Sequence, residues 1–103
     1  MPKYYVTWQM NPLETPKSPE ERVKLWLSLL EMIKADMAAG CVKDWGMAAG
    51  LEGGYAIREE ASETDLTAAL LKWTPYVNFE AKPILTVDQT IEAIQKAVTA
   101  MKK

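Results

Sequence analysis

The residues of this 103-residue chain that could do proton or anion chemistry are carboxylates, tyrosines and one arginine on predicted strands. Asp44, Glu80 and Tyr5 are candidates for proton transfer because each side chain can gain or lose a proton. Arg58 lies in a predicted central strand, where a charge is costly unless it is paired or near water. It could hold a carboxylate ligand. The structural alternatives are an ion pair with Glu80 or Asp44 across the sheet, or with a second subunit.

The chain contains no histidine and a single cysteine, Cys41. These absences exclude Ser-His-Asp and Cys-His nucleophiles, histidine metal sites, zinc–thiolate sites and iron–sulfur clusters. No glycine-rich phosphate-binding motif occurs. We therefore expect no cofactor and no resident transition metal, and we interpret Cys41 as a small packed residue rather than a reactive thiol.

An acidic group precedes the second predicted helix and comprises Glu59, Glu60, Glu63 and Asp65. Carboxylates in this number could bind a divalent cation. Acidic residues are also favoured at a helix N-terminus, where they complement the helix dipole. We prefer the second interpretation because no ligand spacing supports the first.

Four tryptophans could line a pocket for a flat organic ligand. Core packing accounts for three of them, because Trp26 and Trp73 lie on helical stripes and Trp8 on the helix-facing side of strand one. Trp45 is assigned to the sheet face away from the helices, together with Met47. The predicted ligand-binding residues are Tyr5, Trp8, Trp45, Arg58 and Glu80, and no catalytic residue is assigned.

The hydrophobic pattern predicts four strands and three helices. The strands cover residues 3–10, 42–50, 55–60 and 76–85, and glycines form the turn between the second and third. The first helix begins after Ser18 as its cap and ends at Gly40, with a buried stripe of Val23, Trp26, Leu27, Leu30, Ile33 and Met37. A second helix follows Ser62, which is predicted to cap it, and ends at Pro75, and a third begins near Asp88.

The element order β-α-β-β-α-β-α predicts a single α+β domain over residues 1–103. The crossover rule favours a ferredoxin-like antiparallel sheet of order 4-1-3-2, with two helices on one face and an added C-terminal helix. Pro83 cannot donate to a strand ladder, which places strand four at an edge. The open face, expected to carry Tyr5, Trp45 and Met47, is too apolar to stay fully hydrated, and this predicts a two-fold homodimer through that face.

Several segments resemble the dimeric α+β barrel superfamily. These are the first strand, Asp44-Trp45-Gly46, Gly53-Gly54-Tyr55-Ala56 and the run over residues 72–85. Within the superfamily the chain resembles most a small uncharacterised domain family, and it is more distantly similar to muconolactone isomerase. The resemblance implies a homodimer in which two sheets face each other. It also implies a choice among cofactor-free isomerases or monooxygenases, ligand-sensing domains and proteins without an assigned role.

The net charge and the distribution of charged and apolar residues limit the kinds of partner that the protein could bind. The net charge is −2, the pI is about 5.1, and the basic residues are scattered. This disfavours nucleic acid and anionic membranes as partners. No apolar run reaches the ~20 residues of a membrane span. The single cysteine and the absence of a leader pattern indicate a cytoplasmic protein.

Three functions remain open at this level. The first is a binding domain for a small organic acid or aromatic molecule. The second is a cofactor-free isomerase or monooxygenase-like enzyme, and the third is a structural dimerisation module. Whether the protein is an enzyme at all is left undecided, because fold alone does not determine function.

Overall fold

Four strands form one antiparallel sheet in the computed structural model, which describes residues 1–102. They are β1 (Lys3–Met10), β2 (Val42–Met47), β3 (Gly53–Glu59) and β4 (Val77–Ile84). The helices are α1 (Pro19–Ala38), α2 (Glu63–Leu70) and α3 (Val87–Met101), and a short 3₁₀ turn, Leu71–Trp73, follows α2. The strand order β2-β3-β1-β4 confirms the predicted ferredoxin-like α+β arrangement, with Pro83 on an edge strand.

Local sequence signals account for most element boundaries. The Ser62 hydroxyl accepts a hydrogen bond from the Asp65 amide at the start of α2, as predicted. Thr86 and Gln89 form a reciprocal capping box at the start of α3. Gly40 ends α1 with a φ of +85°. Ser18 occupies the N-cap position of α1 as predicted, with Pro19 as the first helical residue, but its side chain makes no capping hydrogen bond.

The β2–β3 turn uses its residues differently from the prediction. Leu51, rather than a glycine of the turn, has the positive φ of 68°. Gly54 is needed for close approach instead: a Cβ there would lie 2.8 Å from Cζ2 of Trp8 and 2.9 Å from Cα of Met47. The backbone of β3 therefore passes directly beneath the Trp8 ring and against β2.

A bulge in β2 decides which side chains face the helices. Val42 pairs with Arg58, but Asp44 already pairs with Ile57, so that Lys43 is the extra residue. One inserted residue moves every later side chain to the opposite face. Trp45 and Met47 therefore lie on the helix side, and their predicted place on the open face is wrong.

The core lies between the sheet and α1 and α2, in two neighbouring clusters. One comprises Tyr4, Val6, Ala56 and Leu66, and the other Trp8, Trp73 and Val77. The first helix contributes Leu29, Met32 and Ile33 to the second cluster, yet no residue of α1 is fully buried. The predicted buried stripe is wrong at Val23, Leu27, Leu30 and Met37, which are exposed. The helix thus covers the sheet without filling the space beneath it.

The third helix does not pack on its own subunit. Every residue of α3 is exposed, and the chain measures 64 Å along its longest axis against 25 and 23 Å along the others. A 15-residue helix adds about 22 Å when it continues outward instead of folding back. Among residues 1–102, no helix is long and apolar enough to cross a membrane.

The close passage of β3 under Trp8 gives a test of the sheet geometry. We expect Gly54→Ala to lower the free energy of unfolding by about 2 kcal/mol, because the added methyl overpacks backbone as well as side chain. Urea denaturation followed by circular dichroism measures this change. Gly50→Ala is the control, since a Cβ there meets no atom within 4 Å. Equal stability of the two variants would contradict the geometry.

Candidate functional site

A cavity of about 130 Å³ lies between α1 and the sheet. Its floor includes Val6 and Trp8 from β1, Trp45 from β2, Ala56 from β3, and Val77 and Phe79 from β4. Trp26, Leu29, Leu30 and Ile33 of α1 form the roof, and Leu70 and Trp73 close one end. Leu30, Met47 and Leu51 line the cavity yet are substantially exposed, and this places its opening between α1 and the β2–β3 turn.

Trp8 and Trp45 form a stacked pair on the floor. Their ring centroids are 5.5 Å apart and their planes differ by 11°. Because of the bulge at Lys43, Trp45 reaches this position from the neighbouring hairpin. The pair supplies a flat apolar surface, the shape that suits an aromatic ring.

Two buried donors at the cavity have no acceptor. The indole N–H groups of Trp8 and Trp26 are buried and make no hydrogen bond within residues 1–102. Both side chains line the cavity, and Trp8 is only 8% exposed. A buried donor without a partner costs about 1–3 kcal/mol, so a ligand that offered an acceptor would recover part of that cost.

Arg58 is the charged residue of the cavity lining, and it is 2% exposed. Its Nη1 donates to Oδ2 of Asp36 on α1 at 3.1 Å, and its Nη2 donates to Oε1 of Glu60 at 2.9 Å. Lys72 lies 3.5 Å from Oδ1 of the same Asp36. The predicted partners Glu80 and Asp44 are wrong, because Arg58 faces the helices while those two residues face the open side of the sheet.

Trp73 joins this ionic group to the aromatic floor. The Arg58 guanidinium carbon lies 5.7 Å from its ring centroid and the Lys72 ammonium 5.4 Å. Both distances allow a cation–π interaction. The ring edge also meets Phe79 at a centroid distance of 6.1 Å. Trp73 therefore contacts both the ionic group and the aromatic residues of the cavity.

The acidic group before α2 does not form a metal site. Glu60 pairs with Arg58, and Glu59 lies 3.4 Å from the Lys43 ammonium. Within residues 1–102 no three metal-ligating side chains lie close enough to hold an ion. Cys41 is half-buried between α1 and β2.

The open face of the sheet carries the other predicted site residues. Tyr5 and Glu80 lie there, and the ammonium of Lys82 is 5.9 Å from the Tyr5 ring. Asp44 accepts a 2.9 Å hydrogen bond from the hydroxyl of Tyr55. This hydrogen bond, followed by burial, raises the pKa of Tyr55 above its usual value.

Sequence reasoning overlooked Tyr55, although one signal was present. Gly46 is its cross-strand partner, and a Cβ at Gly46 would lie 2.6 Å from the tyrosine ring. The missing side chain lets the ring lie across β2 and reach Asp44. A strand glycine opposite an aromatic residue is the pattern that could have revealed this contact.

The predicted ligand-binding residues therefore divide between the two faces of the sheet. Trp8, Trp45 and Arg58 lie together at the cavity. Tyr5 and Glu80 lie on the opposite face and cannot share a ligand with them. Sequence reasoning put Trp26, Leu30 and Ile33 on a buried stripe of α1 but assigned none of them to the ligand site. The i, i+4 spacing of Leu29 and Ile33 places those two on one side of that helix.

The ion pairs of Arg58 predict a large loss of stability on truncation. We expect Arg58→Ala to lower the free energy of unfolding by about 3 kcal/mol, because it leaves two carboxylates without their shared counter-charge. Arg58→Lys should lose less, since an ammonium keeps the charge but not the forked geometry. Lys34→Ala, at an exposed pair on α1, is the control and should change stability by less than about 0.5 kcal/mol. A loss below about 1 kcal/mol in Arg58→Ala would contradict a buried ionic anchor.

The Tyr55–Asp44 hydrogen bond predicts a pH dependence in alkaline solution. A tyrosine whose pKa is raised on folding contributes stability that is fully present below its unfolded pKa of about 10 and is lost as the pH rises through the folded value. Tyr55→Phe should therefore be less stable at neutral pH and should lose less stability between neutral and alkaline pH. Burial also raises the pKa of Tyr4, so some loss should remain. Urea denaturation at a series of pH values between neutral and alkaline measures the free energy of unfolding of both proteins. If the stability of Tyr55→Phe fell with pH in parallel with that of wild type, the role given to the Tyr55–Asp44 hydrogen bond would be contradicted.

A model of a known protein family matches most of the chain. The family model described as "Domain of unknown function (DUF3303)" matches residues 2–98. No curated protein gives a significant match. The expectation of a small uncharacterised domain family is therefore confirmed, whereas the likeness to dimeric α+β barrels and to muconolactone isomerase stays a resemblance. Because the match spans nearly the whole chain, the protein belongs to the DUF3303 family.

Proposed function

We propose that the protein binds a small, neutral aromatic molecule with a hydrogen-bond acceptor in the cavity between α1 and the sheet. The observation that carries this proposal is an apolar cavity lined by stacked tryptophans, with the buried N–H of Trp8 lacking an acceptor. Pockets of this composition, with few polar groups, are typical of small-molecule sites. The binding role is thus the first of the three functions predicted from sequence.

The size of the cavity limits the ligand to about one aromatic ring. Its volume of about 130 Å³ is close to that of an engineered apolar cavity of roughly 150 Å³ that stays dry and binds benzene. A ring of this size would lie against Trp8 and Trp45. A larger ligand would have to project through the opening near Leu51.

The charges around the cavity favour a neutral ligand over the organic acid considered from sequence. Arg58 already pairs with two carboxylates, and Lys72 pairs with one of them. The group has no net charge, so an incoming carboxylate would have to displace an existing ion pair. Burying an anion without a free counter-charge is strongly unfavourable.

The enzyme hypothesis gains no support from the placement of its candidate groups. Asp44, Glu80 and Tyr5 lie on the open face, away from the cavity. Efficient general acids and bases have pKa values near the working pH. The pKa of Tyr55, which donates a hydrogen bond to Asp44, is raised and so lies further from neutral pH than that of an ordinary tyrosine. A binding role is therefore favoured over proton-transfer catalysis.

Three ligands of similar size test the proposal by isothermal titration calorimetry. Benzonitrile offers an acceptor, phenylacetylene has nearly the same shape but accepts weakly, and benzoate is an anion. Benzonitrile should bind about fivefold more tightly than phenylacetylene, the range that one net hydrogen bond provides. Benzoate should bind at least about tenfold more weakly than either.

Two cavity variants and one control locate the binding. Ala56→Leu should abolish binding by filling the floor, whereas Ala81→Leu, on an exposed part of β4 outside the cavity, should preserve it. Trp8→Phe should reduce the preference for benzonitrile, because it deletes one of the two unpartnered N–H groups, and Trp26→Phe deletes the other. Thermal melting confirms that each variant is folded. Equal binding by Ala56→Leu and wild type, or preferred binding of benzoate, would refute the proposal.

A further inference from the structure

The exposed third helix carries a regular apolar seam. Its members are separated alternately by four and three residues: Val87, Ile91, Ile94, Val98 and Met101. All five are between 40% and 77% exposed. At 100° per residue they fall within a stripe about 80° wide, the narrow width of a coiled-coil seam.

The subunit itself leaves this seam uncovered. Every residue of α3 is exposed, and the helix extends beyond the sheet. Isolated helices of this length are only marginally stable in water. The seam therefore requires a partner, and its regular spacing indicates another helix.

We propose that α3 pairs in antiparallel orientation with α3 of a second copy of this chain. The residues that flank the seam on one side are Asp88, Gln95 and Lys102, and on the other side Thr90 and Ala97. In an antiparallel pair the same flanking positions of the two helices face each other. Asp88 would then face Lys102 of the partner subunit, twice by symmetry, and Gln95 would face its own copy.

A parallel pair lacks this complementarity. It would place Thr90 beside Gln95 of the partner subunit and Ala97 beside the partner subunit's Lys102, with no pair of opposite charges. Antiparallel packing also sets the helix dipoles head to tail, which is the favourable arrangement. In the antiparallel pair the acidic first half of α3, with Asp88 and Glu92, therefore matches a basic end formed by Lys96 and by Lys102, which follows the helix.

Other surfaces fit the observations less well. The open sheet face is less apolar than predicted, because Trp45 and Met47 lie on the helix side. The homodimer through that face stays a prediction. A lipid surface favours helices with a broad apolar face and a basic polar face. The seam of α3 is narrow, and the helix carries two acidic residues against one lysine, with Lys102 just after its end.

The proposed pair is small, so the dimer should be weak. Two helices of four turns bury less than the ~1,200 Å² of a stable interface, which corresponds to a transient association. The cavity lies entirely in the remainder of the subunit, and all four tryptophans lie outside α3. An experiment that refutes the dimer therefore leaves the proposed ligand site untouched, and the reverse also holds.

Sedimentation velocity over about 10–500 μM protein tests the pairing, because self-association depends on concentration. Wild type should shift from monomer toward dimer across this range. Ile94→Lys, which places a charge in the middle of the seam, should weaken dimerisation at least about tenfold. Ala93→Lys adds the same charge on the outer surface of α3, about 120° from the centre of the seam, and should dimerise like wild type. Unchanged circular dichroism and tryptophan fluorescence would show that both variants keep the fold.

Charge exchange tests the orientation. Asp88→Lys and Lys102→Glu should each weaken the dimer about threefold, and the double variant should recover wild-type affinity, since exposed ion pairs contribute about 0.2–1 kcal/mol each. Glu92→Lys, away from the flanking positions, controls for net charge. A monomer at the highest concentration, a dimer insensitive to Ile94→Lys, a double variant weaker than both single ones, or sedimentation with phosphatidylserine-containing vesicles would each overturn the proposal.

Discussion

The ion pairs of Arg58 are the constraint on which the arrangement of the remaining elements depends. A guanidinium that is 2% exposed must be fully paired, because an isolated buried charge is far too costly. Its partners are Asp36 of α1 and Glu60, the residue that follows β3. Trp73, just after α2, covers the guanidinium with its ring. One side chain thus fixes the C-terminal half of α1, the central sheet and the end of α2 relative to one another.

This anchor explains why a cavity exists in a small domain. The C-terminal half of α1 is held by charge, while the part around Trp26 and Leu29 spans the sheet above the stacked tryptophans without filling the space. Interiors are normally packed to crystal density, so an unfilled apolar volume with an unpartnered N–H reduces stability. Such a cost is typical of binding sites, where ligand contacts replace the missing packing.

The sequence predicted what depends on local chemistry and missed what depends on packing. Element order, the Ser62 cap and the edge position of Pro83 follow from residue type and neighbours, and all three were predicted correctly. The face of Trp45 depends on a one-residue bulge that alternation alone does not reveal. The partners of Arg58 depend on which helix passes over β3. The exposure of Val23, Leu27, Leu30 and Met37 on α1 depends on how far that helix lies from the sheet. Those are tertiary properties.

The most direct test of a cavity site on the helix side is the set of indole N–H signals in a ¹H–¹⁵N correlation spectrum. Each of the four tryptophans gives its own signal, so the spectrum reports position as well as binding. On addition of benzonitrile, the Trp8 N–H signal should move saturably toward a hydrogen-bonded shift, and the signals of the other cavity tryptophans should move with it. An unmoved Trp8 signal, with changes confined to backbone amides of the open face around Tyr5 and Glu80, would contradict it.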